Sequence, residues 1–248
     1  MAGSWPGARP AYPGVPAGPT REDRERDSRA LRAVEIAAVI ALVGFGFSLV
    51  TLVLVPFSSF TSSYQTSTGG NATTNVTLNT GLLYVVLGVQ GILTIIEFAW
   101  YRVGFSTIAT HDSRFSTPAA LTIVAAIGYA LVILGAAILI HDVNQLITSC
   151  SSTAGSNLTG GTACVPSSFW EALVLVLVGG IVALVGFIGL LIGIWRLGTR
   201  FSDGLFKAGA VLMIFPLLQI VGAILILVAA HGAREKVAKS NPFTPTGF

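Results

Sequence analysis

The segment Glu97-Phe-Ala-Trp-Tyr-Arg-Val-Gly-Phe105, followed by Arg114-Phe-Ser-Thr-Pro118, decides how the rest of the chain is interpreted. It ends an apolar run and carries the one acidic residue that lies well inside such a run. Its arginines indicate where a helix leaves the membrane, because Lys and Arg collect on the cytoplasmic side of membrane proteins. The segment therefore predicts the sidedness of the chain, and a similar pattern recurs near Trp195.

The composition is that of a membrane protein. Of the 248 residues, 53% are hydrophobic and only 10% are charged, whereas soluble domains carry about 25% charged residues. The apolar runs are continuous rather than alternating, which favours helices over a barrel. The net charge of +3 comes from basic residues at the ends of these runs, so it indicates orientation and not a nucleic-acid partner.

Five apolar runs of about 20 residues predict an all-α bundle of five transmembrane helices. The runs cover residues 33–56, 82–101, 118–140, 170–195 and 208–230. The resulting organisation is a disordered Gly/Pro-rich tail (1–20), a charged juxtamembrane segment (21–32), the five-helix membrane domain (33–230) and a C-terminal tail (231–248).

The distribution of basic residues predicts an N-in/C-out topology. Loops 57–80 and 141–168 contain no Lys or Arg, whereas the loops after Tyr101 and Trp195 are basic. In this orientation six basic residues precede the first helix and five lie in the two inner loops, against three outside. Those three are Arg234, Lys236 and Lys239, and their position is the one feature that argues against the prediction.

The predicted outer loops carry features of an exterior surface. Asn71, Asn75 and Asn157 begin glycosylation sequons. Cys150 and Cys164 lie in one outer loop, and a disulfide between them would close about 15 residues and stabilise by about 3 kcal/mol. Two free thiols or a metal pair are the alternatives, which the absence of a CxxC spacing disfavours.

Two inner boundaries share a pattern that predicts a parallel repeat. Tyr101-Arg-Val-Gly104 and Trp195-Arg-Leu-Gly198 are each followed by Arg-Phe-Ser, beginning at Arg114 and Arg200. Helix pair 2–3 would then recur as pair 4–5, as in some transporters. The alternative is that aromatic, Arg and Gly residues are simply common at such boundaries.

The same boundaries carry a resemblance to a known family. Trp195-Arg-Leu-Gly-Thr-Arg-Phe, Lys207-Ala-Gly-Ala and Ile214-Phe-Pro216 resemble the archaeal membrane family catalogued as domain of unknown function 973. The stretch from Arg102-Val-Gly-Phe to Pro118 is similar to it as well. The resemblance implies an archaeal integral membrane protein of about five spans, without an activity, a substrate or catalytic residues.

Intramembrane polar residues are the candidate site. Gln90, Thr94 and Glu97 share one face of the second helix, and Gln90, Tyr129 and Gln219 lie near mid-membrane. One interpretation is that the mid-membrane groups form interhelical hydrogen bonds that fix the packing; the other is a substrate site. Glu97 lies closer to the inner boundary, where it either reaches water or an arginine, or faces the bundle as a protonatable group.

The sequence favours a structural or accessory membrane protein without enzymatic activity, and a small channel or secondary-transporter component is the alternative. No catalytic motif is present, and no cofactor or metal is expected. The expected partner is the lipid bilayer of the plasma membrane, while self-association and a membrane-protein partner both stay open.

Overall fold

The computed structural model describes residues 20–66, 72–78, 80–151 and 166–239 and confirms an all-α membrane bundle. Its helices are α1 (Arg21–Ser59), α2 (Thr80–Ala109), α3 (Ser116–Ser151), α4 (Ser167–Arg200), α5 (Gly204–Leu212) and α6 (Gln219–Lys239). Five of them, all except α5, are long and apolar enough to cross a membrane. Between α1 and α2, strands β1 (Phe60–Thr66) and β2 (Ala72–Leu78) pair antiparallel.

Local sequence signals set where the helices begin. Thr20 and Asp23 form a reciprocal cap at the start of α1, with a bond from the Asp23 amide to Thr20 Oγ1 of 3.2 Å. Asp203 accepts a hydrogen bond from the Leu205 amide at 2.9 Å and begins α5. The charged segment and the first apolar run are therefore one continuous helix of 39 residues.

Glycines allow α3 and α4 to pack closely. A Cβ atom on Gly186 would lie 2.2 Å from the Ala125 amide nitrogen, and one on Gly128 would lie 2.3 Å from that of Ala183. Such backbone-to-backbone approach is the usual role of small-residue faces in membrane helices. The small-residue pattern on the fourth helix predicts close packing: Gly179 contacts α3 in this way, whereas Gly193 packs against Phe105 of α2.

The fifth predicted helix is not one helix. The backbone turns after α5, and Pro216 begins a short 3₁₀ segment (Pro216–Leu218) that leads into α6. α6 runs back along α5, since a Cβ on Gly209 would lie 2.7 Å from Ile226 and 3.0 Å from the Gly222 carbonyl. With 9 residues, α5 rises only about 14 Å. We call α5, the turn and α6 the C-terminal hairpin.

The hairpin returns the chain to the end of the bundle at which α1 begins. Lys236 Nζ lies 3.8 Å from Asp203 Oδ2, and Arg234 Nη1 lies 2.6 Å from Glu35 Oε2. The C-out part of the predicted topology is therefore wrong relative to the N-terminus, because residues 208–230 bend at Pro216 instead of crossing as one rod. Every Lys and Arg of the described residues now lies at this one end, which we call the basic end.

The proposed repeat remains unconfirmed, and the structural similarity is local. Asp112 and Asp203 cap the two turns at the basic end in the same way, each accepting from the amide two residues later. The helices that follow differ, since α3 continues for 36 residues while α5 ends after 9.

The hydrophobic core is asymmetric. Among the residues whose burial the structure describes (20–52, 80–146 and 166–239), the buried apolar side chains lie in the half of the bundle nearest the basic end, apart from Ala172. This follows from the hairpin, which fills the space between α1 and α4 only as far as the middle. Its tip is open to its surroundings in the described structure, with Leu217 91% exposed.

Ion pairs tie the basic end together. Arg200 bridges α4 to α1 and to the α2–α3 turn, at 2.9 Å from Asp27 Oδ1 and 3.4 Å from Asp112 Oδ2. Hydrogen bonds from the Arg114 side chain lower the pKa of the Asp112 carboxyl, and Arg200 adds to this effect.

Candidate functional site: a mid-membrane cavity

A cavity of about 370 Å³ lies in the middle of the bundle, at the level of the hairpin tip. Its volume falls near the lower end of the range of ligand pockets. All four long N-terminal helices and the hairpin contribute to its wall. The polar residues in that wall are Ser48, Gln90, Thr94, Glu97, Tyr129 and Gln219.

The structure brings together all five intramembrane residues that the sequence singles out. Gln90, Thr94 and Glu97 come from α2, Tyr129 from α3 and Gln219 from the first turn of α6. Gln90, Tyr129 and Gln219 share the cavity, but within the described residues no hydrogen bond joins any two of them. Convergence in one cavity is thus observed, without the interhelical bonds of the packing hypothesis.

The polar groups of the cavity wall differ in whether they have hydrogen-bond partners. The Thr94 hydroxyl donates to the Gln90 carbonyl at 3.0 Å, and Gln219 Nε2 donates to the Met213 carbonyl at 3.3 Å. Gln90 Oε1 is buried without a partner in the described part of the chain. A buried acceptor without a partner costs free energy, so it is a position at which a solute or water is stabilised.

Glu97 is the one charged residue among the described lining residues. Neither an ion pair nor a hydrogen bond to its carboxylate occurs within residues 20–66, 72–78, 80–151 and 166–239. The predicted alternative, a carboxylate paired with an arginine at the inner boundary, is therefore absent from the described residues. Its side chain faces the bundle and not the lipid.

A closed hydrophobic layer separates the cavity from the basic end. Tyr101, Phe105, Ile194 and Ile226 each have zero exposed surface, and the Tyr101 and Phe105 rings stack at 6.1 Å between centroids. This layer and the ion pairs beyond it close the bundle on that side. The cavity lies just above the layer, where the hairpin ends.

The hairpin tip is shaped by Pro216 and Gln219. A proline within a helix leaves the carbonyl four residues earlier without its amide partner, but here the Phe215 amide donates to the Leu212 carbonyl at 3.1 Å. Gln219 instead satisfies the carbonyl of Met213. This bond spans the turn, so the same side chain holds the tip together and lines the cavity.

Several lining residues are absent from the sequence-based site. Phe45, Phe98 and Phe187 contribute aromatic rings and Ser48 a hydroxyl. Ala41, Gly44 and Ser48 have the spacing of a small-residue packing face on the first helix, but they line the cavity. Their spacing correctly predicts that they share one face of α1. Whether another element covers that face depends on the length of the hairpin.

Other predicted sites lie wholly or partly outside the described residues. Cys164, Asn71 and Asn157 are not described, whereas Cys150 lies in α3 and Asn75 in β2. The disulfide and the glycans thus stay predictions. Within the described ranges, no group of three or more His, Cys, Asp or Glu side chains could hold a metal ion.

Residues 28–246 match the family described as "Protein of unknown function (DUF973)". The chain belongs to this family. The match covers all six helices of the membrane domain except the first turns of α1, so the resemblance inferred from the two basic boundaries is confirmed. Searches of curated proteins and of solved structures give no match.

Proposed function

We propose that this multi-pass membrane protein binds a small polar solute in the mid-membrane cavity, as a channel or secondary-transporter component. The observation that supports this is the convergence of Gln90, Thr94, Glu97, Tyr129 and Gln219 on one cavity. Polar and ionisable groups are costly inside a bilayer, and they mark solute pathways when they face a shared space. The structural or accessory role that the sequence favours is the competing proposal.

Reactivity of a cavity thiol tests whether the cavity admits solutes. Ser48→Cys places a thiol in the cavity wall, and Val43→Cys places one on the exposed face of the same helix. In proteoliposomes, the neutral reagent methyl methanethiosulfonate should modify Ser48→Cys about tenfold faster or more, because the reactive thiolate forms only where water is present. The native chain, without either substitution, gives the background rate at which the reagent modifies its native cysteines.

Equal, slow modification of both variants would remove the solute-binding proposal and leave the structural role. Fast modification of Val43→Cys alone would have the same meaning, since the reagent would then reach only the bilayer side. Both variants are single substitutions on α1, so differences in expression or insertion are measurable in parallel.

Glu97 provides a test of ion coupling. Proteoliposomes that enclose a pH-sensitive dye should show protein-dependent proton movement under an imposed potassium diffusion potential, and Glu97→Gln should abolish it. Glu171→Gln is the matched control, because Glu171 is exposed at the start of α4 and does not line the cavity. An unchanged flux in Glu97→Gln would exclude Glu97 from the pathway.

We further propose a non-enzymatic role in the plasma membrane, with the loops that carry Cys150, Cys164 and the three sequons outside. Non-reducing peptide mass spectrometry of protein from the native host should recover a peptide cross-linked through these cysteines. The same digest should show glycan mass on peptides with Asn71, Asn75 or Asn157, and unmodified peptides throughout would contradict the exterior assignment.

A further inference from the structure

We propose that the cavity accepts a small organic cation with an ammonium group, which rests on the solute-binding function proposed above and specifies its substrate class. Three independent properties of the lining support a cationic occupant: its charge, its hydrogen-bonding groups and its aromatic rings.

Any charge that the lining carries is negative. Glu97 is its one acidic side chain, and no Lys, Arg or His belongs to the described lining residues. The basic side chains lie at the basic end, on the far side of the closed layer formed by Tyr101, Phe105, Ile194 and Ile226. A cation would stabilise the ionised form of Glu97 in this low-dielectric site, whereas an anionic solute would find no opposite charge there.

Several hydrogen-bonding groups of the lining offer acceptors to the cavity. The Ser48 hydroxyl donates to the Gly44 carbonyl at 3.0 Å, and the Thr94 hydroxyl donates to the Gln90 carbonyl. Each proton is engaged within its own helix, so the oxygen lone pairs remain for the cavity. Gln90 Oε1 is a further acceptor, buried and without a partner in the described residues. These oxygens direct partial negative charge at the cavity, which complements an ammonium group whether or not its nitrogen carries hydrogens.

Aromatic rings complete the lining. Phe45, Phe98, Tyr129 and Phe187 border the cavity from four different helices. The face of an aromatic ring attracts a cation, and desolvated sites strengthen this attraction. A carboxylate with several rings is an arrangement that recognises substituted ammonium ions, and it offers no positive charge to an anion.

The test compares three thiol reagents of one reactive class on Ser48→Cys in detergent-solubilised full-length protein. They are trimethylammonium-ethyl (cationic), methyl (neutral) and sulfonatoethyl (anionic) methanethiosulfonate. Relative to Thr110→Cys, which lies exposed in the α2–α3 turn, the ratio of cationic to anionic rate should be raised about tenfold or more. That factor corresponds to about 1.4 kcal/mol. Adding Glu97→Gln should remove the preference, whereas Glu171→Gln should preserve it.

Reversible binding is tested with choline and its neutral carbon isostere, 3,3-dimethylbutan-1-ol. Choline should slow modification of Ser48→Cys by the neutral reagent, and the isostere should not, although the two have the same shape. Neutral modification without charge preference or choline protection would overturn the cation assignment while leaving the solute-binding function intact. Failure of every reagent to reach Ser48→Cys would overturn both.

Discussion

At the residue scale, glycines decide how near α3 and α4 approach. Gly186→Ala places a methyl group 2.4 Å from the Ala125 Cα, where a backbone must move. We expect a loss of about 1–3 kcal/mol in unfolding free energy, measured by titration with sodium dodecyl sulfate. Gly180→Ala on the same helix is the control, because a Cβ at Gly180 meets nothing within 4 Å. Comparable losses for the two would contradict the packing argument.

Asp112 gives the basic end a defined response to acid. Hydrogen bonds from Arg114 hold its pKa below the ordinary value of 3.8, so its contribution to stability is complete above that pH. The contribution disappears as pH falls through the lowered pKa of the folded state.

Asp112→Asn should therefore lower stability at neutral pH by about 1 kcal/mol and flatten the loss of stability as pH falls from neutral to below about 4. Thermal unfolding across this range measures both effects. Glu25→Gln is the comparison, because Glu25 forms an exposed pair with Arg21 one helical turn away. A parallel acid dependence in Asp112→Asn and the native chain would contradict the role of this carboxylate.

At the element scale, the C-terminal hairpin predicts that both ends of the membrane domain face one side. Single cysteines at Ala238, Thr110 and Ser167 report the end of α6, the basic end and the start of α4. The experiment uses intact cells and a chain in which Cys150 and Cys164 are replaced by serine. A membrane-impermeant maleimide should label Ala238→Cys to the same extent as Thr110→Cys and to a different extent from Ser167→Cys. If Ala238→Cys is labelled like Ser167→Cys instead, the fifth helix crosses the whole membrane and the hairpin is contradicted.

The elements also show where sequence reasoning reaches its limit. Continuous apolar runs correctly predict α1 to α4, because length and hydropathy alone decide whether a helix can span hydrocarbon. Residues 208–230 satisfy the same criterion, yet the chain reverses at Pro216. Pro216 and the three basic residues at the end of α6 are the sequence signals of this reversal, but a proline in a membrane helix more often bends it than ends it. The contacts of Gly209 with Gly222 and Ile226, together with the ion pairs of the α6 end, distinguish these outcomes.

At the scale of the whole molecule, the short hairpin explains both the site and its surroundings. Depth from the helix ends predicted that Gln90, Tyr129 and Gln219 lie at one level. That they border a cavity could not be predicted, because this depends on α5 stopping halfway and leaving the space beyond it unfilled. The same asymmetry puts the buried core on one side of Glu97 and the polar wall on the other.

This asymmetry predicts the side from which the cavity is reached. Toward the basic end, a solute would have to displace Tyr101, Phe105, Ile194 and Ile226, which are fully buried. Opening a packed core costs far more than entering beside the exposed hairpin tip. In sealed vesicles of known orientation, the impermeant trimethylammonium reagent should modify Ser48→Cys only when it is added on the side that labels Ser167→Cys. Modification from the Thr110→Cys side alone would place the entrance at the basic end, and modification from both sides would require the closed layer to open.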